Sequence, residues 1–188
     1  MQKIKNEIVR LGLILFIITA ISGFALAFVN DLTENRIAEN STKAKNEAMR
    51  TIFAEAETFE KFEIQPNEIV SEAYEAKKGE ETIGYVVSAS PSGYGGPIEM
   101  MIGIDKEGKI TDYQVTSLSE TPGLGTRVKD DEFKGKFKGK SYPVELTKIP
   151  SENKVTAISG ATISSNAVVK GINAALETVQ TKVQGGGK

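Results

Sequence analysis

Between Leu11 and Val29 the chain reads LGLILFIITAISGFALAFV, without a single charged side chain. Roughly 19 residues at about 1.5 Å of helical rise each nearly match a hydrocarbon core of about 30 Å. Such a run can cross a bilayer as a helix, which satisfies its own backbone hydrogen bonds where no water can. Lys3, Lys5 and Arg10 precede it against one Glu7, whereas Asp31, Glu34 and Glu39 follow. That bias predicts a single-pass cell-membrane protein with a cytoplasmic N-terminus and everything after residue 30 extracytoplasmic. Ala25-Leu26-Ala27 also fits a signal-peptidase site, so a cleaved leader is the alternative; the apolar run through Phe28 and Val29 favours the permanent anchor. Both readings export the same C-terminal part.

What the chain lacks limits its chemistry. It holds no Cys and no His. Disulfides, iron–sulfur clusters, haem-ligating histidine, tetrahedral zinc sites and Cys/His or Ser/His nucleophiles are excluded together, and no metal site is expected. A formal net charge of -2 gives no basic field for nucleic acid, which is excluded as a partner. Redox or transfer chemistry would have to come from an organic cofactor.

Four segments follow from the patterning: 1–30 as cytoplasmic tip and anchor, 31–62 as stalk helix and linker, 63–184 as an extracytoplasmic domain, and 185–188 as a flexible tail. In the stalk, Ala44, Ala48, Met49, Ile52 and Phe53 form a thin helical stripe, readable as a helix packing onto the domain or as a solvated spacer. After Pro66, strand patterns at 69–76 and 82–89 flank KKGE, and those at 98–104 and 109–117 flank DKEG, predicting two antiparallel hairpins. A short helix is expected in DDEFKGKF and a strand near Val144 to Leu146. Ile163, Ala167, Val168, Gly171, Ile172, Ala175, Leu176 and Val179 recur at helical spacing and predict a closing helix laid on the sheet. The fold class is therefore α+β: antiparallel hairpins with a packed C-terminal helix, behind one N-terminal transmembrane helix.

Three loops break the regular pattern. Gly93, Gly95 and Gly96 surround Tyr94; Thr121, Pro122, Gly123, Leu124 and Gly125 follow Glu120; Ser159, Gly160, Ala161 and Thr162 open the closing helix and lead into Ile163 and Ser164. Singly, each reads as a turn, or for the third as a helix start capped by Ser159 or Thr162. Together they provide close backbone approach and a helix N-terminus whose amides and dipole favour an anion. A phosphorylated ring system such as flavin mononucleotide (FMN) fits that description.

GYGGPI (93–98), ETPGLG (120–125) and SGATISS (159–165), in this order behind one membrane helix, resemble the FMN-binding domain family. Within it they are most like the G subunits of Rnf-type ion-translocating ferredoxin:NAD⁺ oxidoreductase complexes, and more distantly like the C subunits of sodium-translocating NADH:quinone reductases. The resemblance implies an FMN-binding electron-transfer subunit. Its flavin would be covalently bound through the phosphate to Thr162, with Ser159, Gly160, Ala161, Ile163, Ser164, Tyr94, Gly95, Gly96, Glu120 and the Thr121, Pro122, Gly123, Leu124, Gly125 run around it. It further implies the other membrane subunits of the complex as partners, a flavin transferase for maturation, and an enzymatic role as the redox subunit of an ion-translocating oxidoreductase, with no catalytic side chain of its own. Thr156 and Leu118 stand where the family commonly carries aspartate and histidine, leaving Glu120 as its loop's ionisable group. Arg127, Lys129 and Lys154 read as solvated surface, with phosphate contact as the second reading.

The chain shows no dinucleotide fingerprint of strand, G-x-G-x-x-G and helix, so no independent NAD site is expected, and without cysteine it holds no ferredoxin-type cluster. The alternatives are the equivalent flavin subunit of a quinone reductase, or a non-redox exported binding module. An anchored Ser/Lys hydrolase built on Ser164, Ser165 and Lys170 lacks the S-x-x-K spacing at the helix start.

Overall fold

A computed structural model describes residues 2–65 and 67–185, with the backbone alone for 2–6, 35, 184 and 185. Residues 186–188 of the expected tail and the Pro66 boundary lie outside the described residues, whereas Gly185, counted with that tail, is the last residue of the C-terminal helix. Contacts divide the chain into two units, Met1–Lys43 and Ala44–Lys188.

The first unit is helical. It belongs to α1, Gln2–Ile52, whose apolar stretch is long and apolar enough to cross a membrane. Phe16, Phe24 and Leu26 on it are 69%, 75% and 73% exposed, the all-round apolar surface that suits lipid contact.

The second unit is an antiparallel meander of five strands: β1 Thr58–Phe62, β2 Val70–Lys78, β3 Glu81–Ala89, β4 Ile98–Asp105 and β5 Ile110–Leu118, neighbours in chain order throughout. The two hairpins stand where KKGE and DKEG place them. β1 is an addition, an edge strand formed from TFEKF inside the segment read as linker. After β5 come a 3₁₀ turn at Gly125–Lys129, α2 Asp131–Lys134, a two-stranded parallel pair (β6 Glu145–Thr147 and β7 Lys154–Thr156), and α3 Thr162–Gly185.

The sheet is covered on both faces, which explains why β4 is almost continuously apolar. On one face Val87, Ala89, Met100, Ile102 and Ile104 pack against Val168, Ile172, Ala175 and Leu176 of α3, all essentially buried. On the other, Val86 and Met101 meet Ala48 and Met49, with Ile52 and Phe53 half-buried beside them. The stripe in the stalk is therefore a docking face. Gly84 and Gly103 make room for it: a Cβ at Gly84 would overlap the Phe53 ring, and one at Gly103 would overlap Ile52 Cγ2.

Polar contacts fasten the same corner. Lys45 and Lys61 each donate to Glu72, both at 2.8 Å, tying α1 and β1 to β2. The hydrogen bond from Lys45, followed by that from Lys61, pulls the Glu72 carboxyl down to about 2. A folded-state pKa below the unfolded one stabilises the fold above the unfolded value of about 4.5, and that contribution disappears as pH falls toward about 2. Thermal melting should accordingly weaken over that window, and Glu72→Gln should flatten the dependence; parallel melting curves for both proteins across it would contradict the assignment.

Candidate functional site

All three glycine loops meet at the N-terminus of α3. The first is a tight excursion between β3 and β4, closed by Gly93 N–H donating to Gly96 O at 2.8 Å and Ile98 N–H donating to Pro91 O at 2.9 Å. In the second, Leu124 N–H donates to Thr121 O at 3.2 Å, and Gly123 has φ +76°, giving the Pro-Gly type II turn its sequence favours. In the third, Ala161 N–H donates to Ile158 O at 3.0 Å around Gly160 at φ +77°, a second type II turn. These two turns abut, for a Cβ at Gly160 would lie 3.3 Å from Leu124 Cδ2.

The third turn is not fastened by the residues expected. Among the described residues, Ser159 and Thr162 make no side-chain hydrogen bond. Ser165 does that work instead: its hydroxyl accepts from Ile158 N–H at 3.0 Å and donates to Ala161 O at 2.9 Å. The signal was present in TISS, but a serine one turn inside the helix reads as ordinary helix surface until its burial is known.

Glu120 joins the loops. Its Oε1 accepts from Tyr94 N–H at 2.7 Å and Gly95 N–H at 3.2 Å, and its Oε2 from Ser164 Oγ at 2.8 Å. The side chain is buried, so its carboxylate is neither free nor a surface group fixing its own turn. Several glycines predicted to admit a flat partner serve this internal packing. A Cβ at Gly95 would collide with Ser119 O, and one at Gly125 would lie 2.8 Å from both Glu120 Cβ and Ser164 Oγ.

Between the loops lies a cleft of about 400 Å³, within the range of small-molecule sites. Tyr94, Glu120, Thr121, Leu124, Gly125, Gly160, Ala161, Ile163 and Ser164 line it. Gly95, Gly96, Pro122 and Gly123 build the loops behind the lining. Ser159 and Thr162 are exposed at the helix start beside it. Three apolar side chains on the lining are open to solvent: Tyr94 at 72%, Leu124 at 44% and Ile163 at 56%. Against them, the amides of Thr162, Ile163 and Ser164 have no acceptor among the described residues, as expected at the first turn of a 24-residue helix. Apolar side chains for a flat ring beside free amides for an anion fit FMN.

Arg127 pairs with Asp130 at 3.7 Å and Lys154 with Glu145 at 3.3 Å, so two of the three cations considered are engaged on the surface. Neither they nor Lys129 line the cleft. Tyr113, on β5, donates its buried hydroxyl to Val128 O and holds the 3₁₀ turn behind the second loop. A larger groove of about 670 Å³ runs between residues 63–65 and 67 and the C-terminal half of α3, but it gathers none of the glycine loops.

Comparison with known proteins agrees with this geometry. The FMN-binding domain family matches residues 93–177, which contain all three loops, and the RnfG N-terminal region family matches residues 1–52. Over 182 residues, 96% of each chain, the protein is 37% identical to the G subunit of the proton-translocating ferredoxin:NAD(+) oxidoreductase complex of Clostridium ljungdahlii. The chain belongs to the RnfG family. A second RnfG-family relative, the G subunit of the Na(+)-translocating ferredoxin:NAD(+) oxidoreductase complex of Acetobacterium woodii, is 34% identical over 91% of each chain. The crystal structure of Shewanella oneidensis NqrC shares the fold at a TM-score of 0.50 and 19% identity, across 60% of this chain and 65% of that one.

Proposed function

We propose that this protein is the membrane-anchored, FMN-carrying electron-transfer subunit of an ion-translocating ferredoxin:NAD⁺ oxidoreductase complex. Its flavin is esterified through the phosphate to Thr162, and its partners are the other membrane subunits and the flavin transferase that loads it. The observation that carries the reading is the coincidence of the FMN-binding family match at 93–177 with a cleft formed by all three loops.

FMN bound here would supply one- and two-electron transfer, which no side chain of this chain provides. The residues have separate tasks. Thr162 is exposed at the start of α3 and its hydroxyl makes no hydrogen bond among the described residues, which suits it to accept the flavin phosphate from a transferase. The amides of the first turn of α3, together with the helix dipole, would hold the single negative charge that a phosphodiester at Thr162 retains. Tyr94, Leu124 and Ile163 would cover the ring against water when it is bound, and leave its potential to nearby charges. α1 anchors the subunit, and its basic N-terminal end keeps the flavin domain on the extracytoplasmic side.

The reading is tested by producing the full chain together with an exported flavin transferase. A yellow fluorescent band that survives denaturing electrophoresis is expected. A colourless chain from cells in which a known flavoprotein is loaded would overturn it.

A further inference from the structure

We propose that Glu120 is a positioning residue for the cofactor cleft and that its charge lowers the reduction potential of the flavin held there. The proposal rests on the flavin reading above, and its two parts are separable by experiment.

The positioning role follows from connectivity. One carboxylate collects donors 26 and 25 residues upstream, at Tyr94 and Gly95, and 44 residues downstream, at Ser164. No other side chain among the described residues hydrogen-bonds to both the first loop and α3. The surroundings are shaped for it: added Cβ atoms at Gly93 and Gly125 would overlap Oε1 and Oε2 respectively. Without Glu120 the Tyr94 loop has no side-chain tie to the helix start that faces it across the cleft.

The electrostatic role follows from what surrounds the charge. Glu120 is 6% exposed, yet no lysine or arginine among the described residues lies within 4.0 Å of it. Three hydrogen bonds solvate the carboxylate without cancelling its charge. Because Glu120 also lines the cleft, a ring lodged there would sit beside a carboxylate that has no lysine or arginine partner within 4.0 Å among the described residues and little water to screen it. Reduction adds electrons, hence negative charge, to the flavin. A fixed anion on the wall disfavours that addition and biases the site toward passing electrons onward.

Glutamine at this position separates the two roles. Its amide oxygen can accept from Tyr94 and Gly95, and its NH₂ can donate to Ser164 Oγ, so the bonds persist while the charge is lost. In full-length protein loaded by the transferase, Glu120→Gln should keep wild-type flavin content and show a higher midpoint potential. Ser164→Ala, which retains the charge, should show no upward shift. Glu120→Ala should lose several-fold in flavin content, and in chain made without the transferase its Tyr94 and Gly95 amides should exchange hydrogen faster than in wild type. An unchanged potential in Glu120→Gln, or an equal rise in Ser164→Ala, overturns the charge role. Wild-type flavin content and amide protection in Glu120→Ala overturn the positioning role. A wild-type chain that takes no flavin sinks the functional reading instead, while the amide exchange still decides the positioning.

Discussion

Replacing Thr162 with alanine should abolish the flavin fluorescence that survives denaturing electrophoresis while leaving the folded domain essentially unchanged. The side chain is exposed, and among the described residues its hydroxyl makes no hydrogen bond, so nothing in the fold depends on that oxygen. Ser165, one turn further on, holds the preceding turn closed and remains in place. Exposed substitutions free of caps and cavities typically change stability by less than about 0.5 kcal/mol, and the melting temperature should reflect that. Thr162→Ser, which keeps a hydroxyl on a slightly more mobile side chain, should still be loaded. Quantified in-gel fluorescence alongside thermal melts checks all three proteins. A fluorescent Thr162→Ala band would move the attachment elsewhere.

The second large effect is expected at a residue with no chemistry. Gly84→Ala places a methyl group against the Phe53 ring and 2.8 Å from Ile104 O. The ring could rotate away, but the carbonyl belongs to the β3–β4 ladder, so relief requires breaking strand pairing or lifting Phe53 from the sheet. Overpacking of this kind costs about 1–3 kcal/mol. Denaturant unfolding of the full chain in detergent should show that loss. A compensating Phe53→Ala in the same chain should recover less than half of it, because the ring's own burial is forfeited. A Gly84→Ala midpoint equal to wild type would mean that α1 does not dock on this face as described.

The two hairpins were legible because alternation and glycine turns are local signals, and α3 because apolar positions from Ala167 to Val179 recur at helical spacing; Ile163, expected with them on the sheet, is 56% exposed and lines the cleft instead. β1 was not, since TFEKF carries two charges, lies at a sheet edge and becomes a strand through pairing with β2. The docking of α1 was legible as a stripe at Ala48 and Met49, yet its receiving surface was not: Gly84 and Gly103 inside strands read only as weak positions until the side chains above them are known. At the cleft, the loop order was enough to gather the three segments that the fold brings together. Physical roles inside them were less accessible. Glycines that suggested room for a ligand prove to accommodate Glu120 and Ser119, and Glu120, read as its loop's ionisable group, accepts three hydrogen bonds from its own chain. Such roles depend on contacts across 25 to 44 residues, which no local pattern encodes.

One threonine at the head of α3 is expected to carry the cofactor. Intact-mass measurement of the chain isolated from its native membrane, followed by fragmentation, tests it most directly. The account predicts a mass increase of one FMN less one water, retained on a fragment containing Thr162. An unmodified mass, or a flavin mapped to any other residue, would contradict it.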